Sequence, residues 1–216
     1  MGEASIPDAT AARLPRYLQA LRRAAQAGAI TLSSEQLARA SGTTSAKVRK
    51  DLSCLGSHGT RGVGYPVTAL ADELARVLGL IEGRPVVLVG AGNLGRALAA
   101  YGGFERGGFR VAAVIDADPQ IVGRTIAGHR VRAAEDLPAV LMGTGATLAV
   151  LTVPDASAQA VADTLVAAGV TAILSFASLY LDVPEHVRVR RVDLATELQL
   201  LSFYEQADED VPAAAG

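Results

Sequence analysis

The sequence predicts an α/β protein in two parts: a small helical unit with a glycine-rich hairpin, then strands alternating with helices, closed by one last helix. Three observations predict it. Residues 85–116, PVVLVGAGNLGRALAAYGGFERGGFRVAAVID, read as strand, glycine turn, helix, strand and acid. Residues 33–65 read as two short helices, the second basic, followed by four glycines in nine residues, 56–64. Beyond residue 116, apolar runs of four to eight residues keep alternating with helical patterns.

In residues 85–116, Val86-Val87-Leu88-Val89 has the unbroken apolar character of a strand buried on both faces. Gly90-Ala91-Gly92-Asn93-Leu94-Gly95 follows as a G-x-G-x-x-G and opens a helix reaching Tyr101. Each glycine has a task there. Gly90 turns the chain out of the strand, Gly92 leaves room for a pyrophosphate against the backbone, and Gly95 lets the helix lie close on the sheet. The unpaired N–H groups and positive dipole of the helix start face the phosphates. The second apolar run, Val111 to Ile115, ends in Asp116, 21 residues past Gly95, where a carboxylate can accept from ribose hydroxyls. This is the fingerprint of a Rossmann dinucleotide site. A carboxylate repels a 2′-phosphate and no arginine follows Asp116 directly, so NAD(H) is expected over NADP(H). The plainer reading is a βαβ turn that holds no ligand.

Bulk properties narrow the class. Half of the residues are apolar, enough for a core, yet no run approaches the ~18 residues that span a bilayer. The absence of a basic-then-apolar leader and the single Cys54 suit a reducing cytoplasm. Three scattered histidines and one cysteine make a structural zinc site unexpected, and no metal is anticipated. The net charge of −2 conceals an asymmetry: residues 1–84 hold 11 Lys/Arg against 7 Asp/Glu, residues 85–216 hold 9 against 15. Both lysines, Lys47 and Lys50, lie in the basic part, which points to a polyanionic partner there.

Taken in order, Leu14, Tyr17, Leu18 and Leu21 space a first helix over residues 11–27, stopped by Gly28. Ser33 and Gln36 form a capping box for a second helix, broken at Ser41-Gly42. Thr44 or Ser45 caps a third, with Val48 and Leu52 facing inward. This is a helix-turn-helix layout. Ser45, Lys47, Arg49 and Lys50 then face a major groove, where Arg can grip phosphate or guanine. The hairpin after it, Gly59-Thr60-Arg61-Gly62-Val63-Gly64-Tyr65, reads as a wing with Arg61 near its tip. The competing reading makes these cations a solvated face. A further helix spans residues 68–80, and the boundary falls between 80 and 85.

In the second part, residues 129–132 form a short third strand and residues 134–140 a helix. A buried strand over residues 147–154 ends at Thr152-Val153-Pro154, beside the first strand's end, where open α/β sheets bind ligands. Residues 157–168 make a helix, and residues 171–176 and 187–192 two more strands. The last helix, residues 194–206, carries Leu194, Leu198, Leu200, Leu201, Phe203 and Tyr204 around most of its circumference. Such a helix needs cover on more than one side, and a second subunit supplies it while presenting two recognition helices to a palindromic site. Expected limits are 1–82 for the winged helix, 83–192 for the Rossmann domain, 193–207 for the last helix and 208–216 for a disordered tail.

A winged helix, an NAD-type Rossmann domain and an apolar last helix in this order resemble the Rex family of redox-sensing transcriptional repressors. The likeness covers residues 11–206. Its most specific pieces are residues 48–53 (VRKDLS), 59–65 (GTRGVGY), 90–95 (GAGNLG), 100–104 (AYGGF) and 192–194 (VDL). The resemblance implies a homodimer that binds operator DNA and leaves it when NADH fills the cleft, NAD+ competing. It implies DNA contacts from Arg49, Lys50 and Arg61. It places Tyr101 near the nicotinamide with Asp193 of the other subunit, and exchanges the C-terminal helix across the dimer. Three departures from the family pattern stand out: Gln19 for an arginine able to pair with Asp193, Ser178 for a proline, and Cys54-Leu55 for an aromatic pair. The alternative is a small NAD-dependent oxidoreductase, but the sequence lacks a Tyr-x-x-x-Lys, any lysine after residue 50 and space for a substrate domain. The expectation is therefore a regulator that is not an enzyme, with no catalytic residues.

Overall fold

The structure is a computed structural model and describes residues 6–56, 59–60 and 62–209, the last three as backbone only. Two units emerge: one holds the chain up to Arg84 together with Glu105–Phe109, the other Pro85–Phe104 and the chain from Arg110 on.

The first unit runs α1 (Asp8–Ala11), α2 (Leu14–Gln26), β1 (Thr31–Leu32), α3 (Ser34–Ser41), α4 (Ser45–Ser53), β2 (Tyr65–Pro66) and α5 (Val67–Val77). The first helix is interrupted earlier than its periodicity suggests. Pro15 falls in the first turn of α2, where a missing N–H costs no bond, and α1 stands apart as a single turn. The capping box at α3 is present: Ser33 Oγ accepts from the Gln36 N–H at 3.2 Å, and Gln36 Oε1 from the Ser33 N–H at 2.7 Å. Gly42 ends α3 in the left-handed region, and Thr44 caps α4 by accepting from the Lys47 N–H. Leu14, Tyr17, Leu18 and Leu21 of α2 form one core with Leu37 of α3, Val48 and Leu52 of α4, and Leu70 and Leu74 of α5.

One buried charge locks this core. Asp51 of α4, 1% exposed, accepts from Thr10 (2.9 Å), from both Arg13 Nε (2.6 Å) and Arg13 Nη2 (2.7 Å), and from the Tyr17 hydroxyl (2.7 Å). Burial alone raises its carboxyl pKa, but the bonds from Arg13, Tyr17 and Thr10 prevail, and the net shift is downward. Tyr17 is pushed up to about 12, by burial first and the Asp51 carboxylate second.

The second unit takes most of its strands into one sheet. It contains β3 (Arg84–Val89, entered from the first unit), α6 (Asn93–Ala99), α7 (Gly103–Gly107, which crosses between the units), β4 (Phe109–Asp116), β5 (Thr125–Ile126), β6 (His129–Arg130), β7 (Arg132–Ala133), a 3₁₀ turn (Ala134–Asp136), α8 (Leu137–Thr144), β8 (Leu148–Leu151), α9 (Asp155–Ala167), β9 (Ala172–Ser175), β10 (Arg188–Arg191) and α10 (Leu194–Glu209). The six-stranded sheet has the order β7-β4-β3-β8-β9-β10. Numbered along the chain that is 3-2-1-4-5-6, the doubly wound arrangement whose direction reverses between β3 and β8. These two strands run parallel, with Val87 opposite Ala149 and Leu88 opposite Val150. Val87, Ile115, Leu151, Leu165 and Ile173 centre its core.

The third strand differs from expectation. His129–Arg130 pairs with Thr125–Ile126 in a hairpin, and only Arg132–Ala133 joins the sheet edge. Ala127 (φ 49°) and Gly128 (φ 82°) turn that hairpin, both in the left-handed region. The last helix continues to Glu209; the rest of the expected tail, 210–216, lies outside the described residues, as does Arg61. Among the described residues, no helix is long and apolar enough to cross a membrane.

Asp51→Asn removes the charge that Arg13, Tyr17 and Thr10 converge on, and is expected to destabilise the first unit by about 3 kcal/mol in urea unfolding at pH 7. Because the folded carboxyl pKa lies below its unfolded value, the wild-type advantage is full above the unfolded pKa. It disappears as pH falls through the lower folded value, so the two unfolding midpoints should converge in acid.

Candidate functional site

The glycine turn sits at the switch point of the sheet, built from backbone contacts that exclude side chains. Gly90 leaves β3 at φ 101°, and a Cβ on it would lie 2.7 Å from the Thr152 backbone. A Cβ on Gly95 would run into the Gly90 carbonyl oxygen, so α6 can rest on the strand end only with glycine there. Thr152 fastens the seam from β8, its hydroxyl donating to the carbonyls of Val89 (3.1 Å) and Gly90 (2.8 Å). Gly92 is the contrast: a Cβ on it would meet nothing within 4 Å. Its backbone borders open space at the start of α6, where no side chain caps the first N–H groups. The cradle therefore suits a phosphate-bearing group held by main-chain N–H donors.

Asp116 completes this rim. Its carboxylate accepts from the Ala91 N–H at 2.5 Å and the Asp118 N–H at 2.8 Å, tying the tip of β4 to the glycine turn and leaving lone pairs for further donors. Asn93 and Leu94 form the exposed first turn of α6, and Arg96 donates through Nε to the Ala91 carbonyl at 2.9 Å. Val153 is half-buried and Pro154 leads into α9, so Thr152-Val153-Pro154 occupies the β8 end that faces the turn across the reversal point.

Tyr101 and Asp193 are not joined within the chain. Tyr101 is exposed and stacks edge-on with Phe104 at 5.5 Å. Asp193 caps α10, accepting from the Thr196 hydroxyl (2.9 Å) and from the N–H groups of Thr196 and Ala195. The Thr196 bonds lead in holding its carboxyl below the usual range. Arg191 lies 3.8 Å from Asp193, donates to the Ser178 carbonyl and places its guanidinium 4.4 Å from the Tyr180 ring centre.

The first unit carries the basic face. On α4, Val48, Asp51 and Leu52 point inward, while Lys47, Arg49 and Lys50 are exposed and Ser45 is half-buried at the N-terminus. Arg49 does not float: Nη1 donates to Ser34 Oγ at 2.9 Å and lies 3.5 Å from Glu35 Oε1. Behind α4, Thr60 and Gly64 bridge as a hairpin, and β2 pairs with β1, Tyr65 opposite Leu32. A Cβ on Gly64 (φ 95°) would lie 2.5 Å from the Leu32 carbonyl oxygen, so glycine lets the wing close on β1.

Several participants escape a reading of the sequence. Asp51 sits three residues after Val48 and one before Leu52, so its inward place follows from helical spacing, whereas its partners Thr10, Arg13 and Tyr17 lie 34 to 41 residues away. Arg96 and the Ser34–Glu35 pair have no local signature; Thr152 is expected at the strand end, but its bonds to the Val89 and Gly90 carbonyls are not.

Residues 82–179 match the family model for a CoA binding domain, and residues 5–53 that for a putative DNA-binding protein N-terminus. The redox-sensing transcriptional repressor Rex of Streptomyces griseus is 55% identical over 210 residues, covering 96% of this chain and 83% of the relative. Three crystal structures of RSP, a Rex-family repressor, are each 32% identical to this chain. RSP with beta-NAD+ and operator DNA aligns with a TM-score of 0.87 over 95% of each chain. RSP with beta-NADH gives 0.82 over 94% of this chain and 96% of the other. The chain belongs to the Rex family of redox-sensing transcriptional repressors.

The glycines separate fold from ligand. Gly95→Ala forces α6 off the sheet and should cost at least ~2 kcal/mol, visible as a lowered midpoint in thermal unfolding. Gly92→Ala meets no atom, at φ −68°, and should leave the midpoint within a degree or two.

Proposed function

We propose that this Rex-family chain is a repressor that binds operator DNA as a homodimer and releases it when NADH fills the glycine-lined cleft. One observation carries the reading: a dinucleotide-type cleft at the switch point and a basic helix-turn-helix are built into the same chain. RSP has been crystallised with operator DNA and beta-NAD+, and separately with beta-NADH, which supports the same pairing of ligands here.

In this reading Gly90, Ala91, Gly92, Asn93, Leu94 and Gly95 hold the pyrophosphate, Asp116 the adenosine ribose, and Thr152, Val153 and Pro154 the far wall. Tyr101 meets the nicotinamide with Asp193 of the second subunit. Ser45, Lys47, Arg49 and Lys50 read the major groove, and Arg61 reaches the duplex from the wing. The nucleotide is a regulatory ligand, and no hydride leaves it for a substrate. The domains extend over 1–82 and 83–192, with the exchanged helix over 193–207, and the protein works in the cytoplasm.

The dimer rests on α10. Leu194, Leu198, Leu201 and Phe203 are each more than 60% exposed, on a helix with apolar residues all round. A helix of that kind is stabilised by packing into a second copy. NADH and NAD+ then favour dimers with different spacing between the two recognition helices. Shifting occupancy from mostly bound to mostly free needs a preference of roughly 5 kcal/mol for the released form. The neutral dihydronicotinamide and the cationic oxidised ring differ enough in charge to supply part of it.

The test is a palindromic duplex selected by the protein, titrated with each nucleotide in a gel shift. NADH should release the duplex and NAD+ compete with it; a complex indifferent to NADH ends the sensing role. Gly92→Ala should weaken NADH binding tenfold or more by calorimetry, about 1.4 kcal/mol. Removing residues 194–216 should turn a dimer into a monomer by light scattering.

A further inference from the structure

Arg49 is the exposed cation of α4 that the first unit holds by side chains from another helix. Its Nη1 donates to Ser34 Oγ at 2.9 Å and stands 3.5 Å from Glu35 Oε1, and Ser34 Oγ in turn donates to Glu35 Oε1 at 3.3 Å. Both partners lie in the first turn of α3, held by the Ser33–Gln36 capping box, which uses neither of them. An exposed pair of this kind adds little to stability, so stability does not account for it.

We propose that Glu35, with Ser34, is a specificity-determining pair that aims Arg49 and penalises non-specific duplex; this rests on the DNA-binding reading above. A guanidinium presents five donors in a fixed fork. With Nη1 tethered, the Nε and Nη2 side remains without a described partner, and that edge grips a guanine O6/N7 pair in a bidentate way. Fixing the fork removes rotamer freedom before DNA arrives, which favours an acceptor pair at one place and angle over scattered phosphates. Glu35 adds repulsion. Its own backbone N–H, then the Ser33 and Ser34 hydroxyls, and the Arg49 charge hold its carboxyl below the usual range, so it carries its charge at neutral pH. A fixed anion beside the reading head opposes the phosphates of any duplex, and only a sequence that engages the aimed arginine offsets it. Discrimination built from a repulsive element and an attractive one is stronger than either alone.

The experiment uses the full chain. Duplexes are selected from a random library with wild type, and the selected duplex and a shuffled one are titrated by fluorescence anisotropy across salt. Glu35→Gln keeps the size and the polar end but removes the charge. It should tighten the shuffled duplex roughly three- to tenfold with little gain on the selected one, and blur the base preference at the position Arg49 reads. Ser34→Ala should blur that preference while leaving shuffled affinity alone. In an Arg49→Lys background, which lacks the fork, Glu35→Gln should no longer alter base preference. A selected-to-shuffled ratio unchanged within twofold in Glu35→Gln overturns the proposal, as does the same blurring in the Arg49→Lys background. A wild-type chain that selects no sequence overturns the DNA-binding reading itself, and the two failures are told apart by that first arm.

Discussion

The second unit depends on how closely α6 approaches the end of β3. No side chain fits between Gly95 and the Gly90 carbonyl, and the Thr152 hydroxyl bonds to that carbonyl from the neighbouring strand. One short contact thus sets three things together: the angle of the helix, the seam between β3 and β8, and the open ground beside Gly92. Backbone packed this tightly is stiff, because interiors at crystal-like density do not yield to small displacements. A rigid cradle is what a site made of main-chain donors needs, since those donors have no rotamers with which to adjust.

The first unit solves the same problem differently. Among its described residues the strand pairing is a two-residue ladder between β1 and β2 and the Thr60–Gly64 bridge. Its recognition-type helix is instead fixed from within by Asp51, whose carboxylate gathers three partners from α1, α2 and the two-residue link between them. A buried charge is costly to desolvate and becomes tolerable only when fully bonded. That requirement makes it directional: α4 has one rotation about its axis that satisfies Asp51, and that rotation turns Lys47, Arg49 and Lys50 outward. The outer cations and the inner anion are two faces of one constraint.

What could be read from the sequence follows the range of the interactions. The capping box at Ser33, the glycine turn, the acid at residue 116 and the alternation of strands and helices all depend on residues close in sequence, and the structure has them where the spacing put them. Interactions over longer separations were not legible. Nothing near Arg13 announces Asp51, and nothing near Arg49 announces Ser34. The Ala127-Gly128 hairpin was missed because its turn uses alanine in a left-handed conformation, which costs roughly 1–2 kcal/mol and leaves no Asn-Gly or Asp-Gly mark. Helix α7, five residues with a glycine at each end, carries too little apolar periodicity to be seen. Most of the candidate nucleotide site was legible for the same reason that it is rigid: it is local backbone geometry, enforced by glycine.

The way Asp116 is held bears on what a sensor of this design would measure. The carboxylate already lies against the Ala91 N–H, so if Asp116 anchors the adenosine ribose as proposed, that anchor is aimed before anything docks. That half of the dinucleotide is chemically identical in the oxidised and reduced forms, and affinity gained there is shared equally between them. Shared affinity shifts no equilibrium, however strong it is. It does fill the cleft. A pocket kept saturated by its common half becomes indifferent to the size of the cofactor pool and responds only to exchange of one form for the other, so a tight, redox-blind grip on adenosine is what would turn a concentration detector into a gauge of proportion.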